Sequence, residues 1–578
     1  MEKPNEIQDE NFRRKTVRGI HFLKLKGTEV ERARAHGRLL KQEILDGALP
    51  ILAKKNESLI RKGPGLVQKQ IVQDTIVWFY KKVLVPTLDR GSSMDDRSLV
   101  LAVSEATGLT YEQCRESLFQ PDGLMLLSRI SIMKHLLRQL PGGGLPGCTS
   151  AVTMKSWNAS GRLMACRNQD YPVVGPWEKA TTVMFHEPTE SDQIPYVGIT
   201  TAGVHTGGLT SVNREGITLF AHAHFGRSVR LTGTPVISLG NQIIRQAKTL
   251  GEAVDIARKN PRYANWAFVV SSAKENDALI IEMTPTKTRV SPAQDGFLAH
   301  SNFFHTPELQ REEALMSGAC CEDLVARLCR MREVLEPHRG QIEPRHMTAA
   351  LGDHIDRQTG EERVFGNTVS VMTTVKSTVF DAEGGKLWIS ARGESPMGLG
   401  PFLEVDLEKF WTQDKSEAEY VTLPGYQPRN PALVEGVRHY RDAYRAMHME
   451  GHLPDSGERT LAALRRAVRA FPSDGNLWVQ NGIIAFENAK FDEARRCLAE
   501  ASSRKLTPHV SGVRDLFFAR CLDIEGERER AVELYRGWER VHEPKLRKAL
   551  KRGVNKPYHR SEVRNLMTDL QFPDAFQY

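Results

Sequence analysis

The chain has 578 residues, 40% hydrophobic and 26% charged, with a formal net charge of +8; this is the balance of a soluble globular protein too long for one core, so two or three domains are expected. The modest positive excess, with no zinc-finger, homeodomain or aromatic–basic stripe, excludes a nucleic-acid-binding reading, and no run approaches the roughly 20 apolar residues that span a bilayer. Eight cysteines are too few and too uneven for a disulfide framework, and the polar residues through Lys15 hold no apolar signal-peptide core, so a cytoplasmic enzyme is expected.

From about Val17 to Leu140 a short apolar strand, Gly19–Leu25, gives way to helical spacing. Leu39, Leu40, Ile44, Leu49 and Leu52 form one amphipathic stretch, and Ile71, Val72, Ile76, Val77 and Tyr80 another. The breaker-rich run Pro141 to Gly147 cannot continue a helix. Strand-like segments follow at Ser150–Met154, Leu163–Cys166, Thr181–Phe185, Tyr196–Thr201 and Ile217–Ala221. Helices are expected over Ile237–Ala247 and Leu250–Ala257, before strands at Trp266–Ser271, Ala278–Met283, Asn367–Lys376 and Lys386–Ala391. Strands with helices between them predict a layered α/β domain. The sequons at Asn56 and Asn158 read as chance.

Beyond about Arg429 the chain turns rich in Ala, Leu, Glu and Arg. At a period of 34, Trp478, Gly482, Ala494, Leu498 and Ala501 fall where a tetratricopeptide unit packs its paired helices; Leu464, Ala467 and Pro472 match one period earlier, and Ala519, Ala531 and Tyr535 make an offset third copy. The expected domains are a mostly helical pro-segment or small subunit, 1–147, a catalytic domain, 148–428, and a helical tetratricopeptide-like domain, 429–578.

Cys148 stands directly after the breaker run and directly before a strand. Were the Gly147–Cys148 bond cut, the cysteine would carry a free amine with a pKa near 8, able to take the thiol proton directly or through water. The thiolate would then attack an amide carbonyl and form an acyl-thioester. A lone cysteine in a strand also reads as a small buried hydrophobe. Arg167 and Asp170, in Cys166-Arg167-Asn168-Gln169-Asp170-Tyr171, suit opposite tasks: the cation lowers a thiol pKa and steadies an anion, the carboxylate holds a protonated amine. The same pair reads equally as a surface ion pair at a turn.

These segments, Cys148-Thr149-Ser150 and Ser160 through Tyr171, resemble the opening hairpin of the penicillin acyltransferase family and of the related choloylglycine hydrolases. The resemblance implies a four-layer αββα fold of the N-terminal-nucleophile type, an α/β (α+β) architecture in which the cysteine becomes the new N-terminus after cleavage between Gly147 and Cys148. It implies Cys148 as nucleophile, Asp170 binding its α-amine and Arg167 as electrostatic support. His300-Ser301-Asn302-Phe303-Phe304 is similar to the segment whose asparagine, here Asn302, helps form the oxyanion hole. Gly207 through Ile217 resembles the strand-turn-strand before the substrate pocket and makes Asn213 a candidate contact. Ala391-Arg392-Gly393 is similar in placement to a late strand supplying a second arginine, Arg392. Where the choloylglycine branch has a second asparagine, this chain reads Phe220-Ala221-His222-Ala223-His224-Phe225, which makes His224, with His222 as second choice, the replacement donor. Gly27 through Gly37 also resembles the N-terminal region of acyltransferase precursors.

The expected activity is therefore that of a self-cleaving cysteine amidohydrolase or acyltransferase acting on a small acylated amide, with an acyl-thioester as the alternative donor. It would use no cofactor or metal, its cleaved fragments would stay associated, and the helical tail would offer a protein partner a surface; no nucleic acid or membrane is expected. A catalytically silent αββα domain carrying an interaction scaffold is the alternative. Cys320, Cys321 and Cys329 lie among Leu324, Val325, Leu328 and Met331 and read as one helix face rather than a metal site. The basic run Lys545, Lys548, Lys551, Arg552, Lys556 and Arg560 reads as a solvated helix face.

Overall fold

The computed structural model describes residues 11–52, 70–127, 147–314, 318–413, 415–451, 453, 455–564, 568–575 and 578; the breaker run Pro141–Pro146 and the sequon at Asn56 lie outside them. Period-2 alternation of apolar residues sorts most strands into two sheets whose inner faces interdigitate. In spatial order, one sheet runs β1 (Phe12–Val17), β2 (Ile20–Gly27), β5 (Thr181–Pro188), β6 (Tyr196–Thr201), β7 (Thr210–Asn213), β8 (Ile217–Ala223), β9 (Trp266–Ser272), β10 (Asp277–Met283) and β11 (Thr288–Pro292). The other runs β12 (Phe297–His300), β3 (Gly147–Thr153), β4 (Met164–Asp170), β13 (Thr374–Asp381), β14 (Lys386–Ser390), β15 (Phe402–Asp406) and β16 (Thr422–Leu423). The β2–β5 pair is parallel; the remaining neighbours run antiparallel.

Between the sheets, Phe22, Val183, Ile199, Phe220 and Val269 meet Val152, Ala165, Phe380 and Leu403. Each buried side chain of this size stabilises the fold by roughly 1.5–3 kcal/mol. Helices cover both outer faces. Over the larger sheet lie α1 (Glu29–Leu39), α2 (Met94–Thr107), α3 (Tyr111–Leu127), α4 (Val236–Gln246) and α5 (Leu250–Lys259); over the smaller lie α6 (Gly318–Leu335) and α7 (Pro344–Leu351). The result is an αββα sandwich. Helix α1 starts on a Thr28/Glu31 capping box, which satisfies two of its orphan backbone donors.

The N-terminal segment is mostly helical where described, yet its β1–β2 hairpin completes the larger sheet, and Phe22 packs on Phe410 with ring centroids 4.3 Å apart. The expected strand Asn367–Lys376 begins only at Thr374. Gly366 and Asn367 adopt positive φ, 87° and 57°, and the Thr368 hydroxyl donates to the Ser370 carbonyl. These local bonds compete with a ladder. Asn158 is buried and stitches the β3–β4 turn by donating to the carbonyls of Thr153, Met154 and Arg162.

The C-terminal helical region comprises α8 (Ala432–Tyr444), α9 (Ser456–Ala470), α10 (Gly475–Glu487), α11 (Phe491–Ala501), α12 (Pro508–Ile524), α13 (Arg528–Tyr535) and α14 (Pro544–Asn555). Leu464, Ala467, Ala494, Leu498, Ala501, Ala519, Ala531 and Tyr535 are all buried there. A Cβ at Gly482 would sit 2.6 Å from Leu498, so only glycine permits that approach of α10 to α11. Trp478 departs from its expected filling role: it is only partly buried and donates to the Pro472 carbonyl at 2.9 Å. The region docks on the sandwich through Asp474, which accepts from Arg363 Nη1 at 3.1 Å and from the Val364 backbone N at 2.7 Å. The basic residues of α14 face solvent. Among the described residues no helix is long and apolar enough to cross a membrane.

Candidate active site

Strands β3 and β4 pair so that Cys148 lies opposite Gln169, and Gly147 opposite Asp170. Residues two apart share a face, so Cys148, Ser150 and Arg167 point between the sheets toward β8. Arg167 Nη2 sits 2.9 Å from Cys148 Sγ. The same guanidinium donates to the carbonyls of Leu209 and Ala221 and meets the Thr210 hydroxyl, so three acceptors fix it against the thiol. Burial pushes the Cys148 thiol up, and Arg167 pulls it down.

Asn302 follows β12. Its Oδ1 accepts from the Cys148 backbone N at 2.8 Å, and its Nδ2 donates to the Ala223 carbonyl at 2.9 Å. The amide thus holds the nitrogen of the Gly147–Cys148 bond through its oxygen, while one of its two N–H groups is bonded to the Ala223 carbonyl. Asp170 comes from the end of β4. One carboxylate oxygen accepts from the Thr374 hydroxyl at 2.7 Å. The other, Oδ2, is buried without a hydrogen-bond partner and lies 3.3 Å from where a Cβ on Gly147 would be. It faces the Gly147 backbone.

Arg327, on α6, was not singled out by the sequence. It is 1% exposed and its Nη1 donates to the Cys148 carbonyl at 3.0 Å and the Thr149 hydroxyl at 2.7 Å. Nη2 reaches Asn302 Oδ1 at 3.4 Å, Nε pairs with Asp323 at 2.8 Å, and Asp170 Oδ2 lies 3.6 Å from Nη1. Burial opposes its charge, but Asp323 and Asp170 outweigh that and hold its pKa above the ordinary value. The signal present in the sequence was Asp323-x-x-x-Arg327, an i,i+4 ion pair set among Leu324, Leu328 and Met331.

Four other candidates have partners of their own. His224, just past the end of β8, turns to β12: its Nε2 meets His300 Nε2 at 2.9 Å and its ring packs on Phe304. His222 meets the Ser150 hydroxyl at 2.9 Å. Burial holds both imidazoles well below their ordinary pKa. Asn213 is spent on structure, donating to the carbonyls of Ile244 and Ala247 and accepting from Ile217 N, which ties the β7–β8 hairpin to α4. Arg392 pairs with Glu394 at 3.3 Å, and Glu394 also pairs with Arg441 of α8, so this arginine belongs to the seam with the helical region. Among the described residues no group of three His, Cys, Asp or Glu side chains is placed to hold a metal.

Beside the thiol is a cavity of 30 Å³, room for about two waters. Its wall is apolar, with Trp177, Val204, Leu209 and Trp266, and the N-terminal segment closes it with Leu52 and Pro121.

Burial pushes the Asp170 carboxyl from 3.8 to about 6, against the pull of Arg327 and Thr374. A carboxyl with a raised folded pKa binds its proton more tightly folded than unfolded, so the stability it lends in acid is lost as pH rises from its unfolded value to about 6. On an uncut Cys148→Ala background, the stability advantage over Asp170→Asn should shrink by about 3 kcal/mol across that window and stay level above it. Urea titrations at a series of pH values measure this; a level difference throughout would mean the carboxyl titrates normally.

Residues 157–395 match the family model described as Acyl-coenzyme A:6-aminopenicillanic acid acyl-transferase. The matched span holds Arg167, Asp170, Asn302 and Arg327; it begins after Cys148 and ends before the C-terminal helices. No curated protein matches the sequence. Among solved structures, penicillin V acylase from Agrobacterium tumefaciens aligns with 12% identity over 48% of this chain and 99% of its own, with a TM-score of 0.27. The match falls within the αββα sandwich and makes residues 157–395 similar to that acyl-transferase family.

Proposed function

We propose that this chain is a precursor of a cysteine amidohydrolase or acyltransferase, activated by its own cleavage between Gly147 and Cys148, that passes the acyl group of a small amide through a thioester on Cys148. The observation that carries this reading is the Arg167 guanidinium 2.9 Å from the thiol, on a cysteine whose backbone nitrogen is already held by Asn302.

In the uncut chain that nitrogen is an amide and cannot act as a base. Cleavage turns it into an amine with a pKa near 8, held by Asn302 Oδ1 and beside the Asp170 oxygen that makes no hydrogen bond. The amine takes the Sγ proton as sulfur attacks the substrate carbonyl. It returns that proton to the leaving nitrogen when the tetrahedral adduct collapses. Arg167 supports the thiolate, Asp170 steadies the ammonium, and Arg327 fixes the Cys148 carbonyl. Water or an amine then releases the acyl group.

Residues 1–147 serve as a small subunit that stays bound after cleavage, since β1 and β2 belong to the larger sheet and α3 walls the cavity. Residues 148–428 form the catalytic domain. The helical hairpins of 429–578 are tetratricopeptide-like and offer a protein partner a surface. Intact mass and N-terminal sequencing of the purified protein test the cut: two co-purifying fragments are expected, the larger beginning at Cys148. A chain that stays whole while hydrolysing acyl amides rules self-activation out.

A further inference from the structure

Two small cavities lie side by side behind Cys148. The one against the thiol is apolar, as described above. The second, of 20 Å³, is bordered by Asp96, Ser117, Gly203, His205 and Asn241. Ser117, Val204 and Ile237 border both, so these residues stand between them.

The proton positions in the second cavity follow from its hydrogen bonds. His36 Nε2 accepts from the Gly203 backbone N at 3.1 Å, so the single proton of a neutral His36 sits on Nδ1. That nitrogen lies 3.2 Å from His205 Nδ1, which must then accept. Burial holds His36 down at about 4 and His205 well below its ordinary value, so both rings are neutral near pH 7. The His205 proton is therefore on Nε2, an atom that is buried with no partner. A metal does not fit here, because the His36 nitrogen facing His205 carries a proton.

Asn241 is oriented by the same logic. Its Oδ1 accepts from Gly207 N at 2.7 Å and the Thr206 hydroxyl at 3.0 Å, which leaves Nδ2 as a donor without a partner among the described residues. Asp96 does not answer these donors: its carboxylate oxygens accept from Ser238 at 2.5 Å and Ser93 at 2.7 Å. The Ser117 hydroxyl donates to the Cys114 carbonyl at 2.6 Å. Two N–H groups thus border one cavity and lack an acceptor, a costly arrangement unless a guest supplies it. No cation borders the cavity, so burying a carboxylate there would go uncompensated.

We infer that the acyl site is bipartite: the chain of the acyl group lies in the apolar cavity beside Cys148, and a neutral oxygen at its far end, a keto or ether oxygen, accepts from His205 and Asn241 in the second. The substrate class is then an amide of an oxygen-bearing acyl group rather than of a plain fatty acid or an ω-carboxylate. This rests on the acyl-thioester reading of Cys148.

The experiment uses the processed protein and a length series of straight-chain N-acyl p-nitroanilides, each compared with its penultimate-keto and ω-carboxylate counterparts. Release of p-nitroaniline gives kcat/KM. At the best length the keto compound should exceed the methylene compound by about ten-fold, with the carboxylate poorer than either. In Asn241→Leu, which removes the donor without adding a charge, and in His205→Phe, the keto-to-methylene ratio should fall toward one. If all compounds are cleaved and the ratio is near one in the native protein, the cavity holds only water and the inference fails while the thioester reading stands. If none is cleaved and none labels Cys148, both fail.

Discussion

Cys148→Ala is expected to yield a single uncut chain that folds and turns over no acyl amide. The thiol meets Arg167 Nη2 and the Ala221 carbonyl, and Arg167 keeps the acceptors at Leu209, Thr210 and Ala221 without it. Losing Sγ therefore costs packing of about one small group, on the order of 1 kcal/mol. The chemical loss is far larger, because in the proposed reaction self-cleavage and turnover share one nucleophile; removing a nucleophile of this kind costs roughly a million-fold in rate. Cys148→Ser keeps an attacking oxygen in the same place and should cut itself slowly while turning over little. Cys166→Ala serves as the control: Cys166 is buried on the opposite face of β4 and belongs to the core under α6 and α7, and it should process normally. Mass spectrometry of freshly purified protein and burst kinetics on an acyl p-nitroanilide provide both readouts. A Cys148→Ala protein that still cuts itself would move the nucleophile elsewhere.

The strands that frame this cysteine were legible because alternation and turn residues are local. Tyr196–Thr201 falls where the spacing placed it, and β4 extends the expected Leu163–Cys166 only to Asp170. The layered α/β class followed from that order of elements. What alternation could not give was pairing. Two hairpin strands at the start of the chain complete a sheet whose other members begin at Thr181, and parallel β2–β5 pairing leaves no local mark. The approach of Arg167 to Cys148 was readable because both lie on neighbouring strands of one hairpin. The partner of His224 was hidden for the converse reason: His300 lies on the facing sheet, 76 residues away. Asn213 has the residue type of a catalytic amide, but its bonds go to the end of α4, which only the tertiary packing reveals. Arg327 was hidden by its surroundings, since a cation among leucines on a helix reads as core pattern until its reach to β3 is seen.

Replacing Arg327 should have the second largest effect, and it separates structure from positioning. Its guanidinium is buried between the carboxylates of Asp323 and Asp170; Arg327→Met leaves both without their cation, a loss of about 3–5 kcal/mol. It also frees the Cys148 carbonyl and the Thr149 hydroxyl, so the strand that carries the thiol loses its anchor and processing should fall by at least about a hundred-fold. The double variant Asp323→Asn/Arg327→Met removes one stranded charge and should recover a large part of the stability, since an apolar side chain then replaces a buried pair. It should not recover processing, because the Arg327 donor to the Cys148 carbonyl is gone. Arg327→Lys supplies a point charge for Asp323 but lacks the fork that spans Nε and Nη1, and should stand between the two in stability while remaining slow. Urea melts and a time course of fragment appearance measure the two quantities independently. Recovery of both in the double variant would make Arg327 a purely structural ion-pair partner; recovery of stability alone makes it the group that holds the nucleophile's backbone in line for attack.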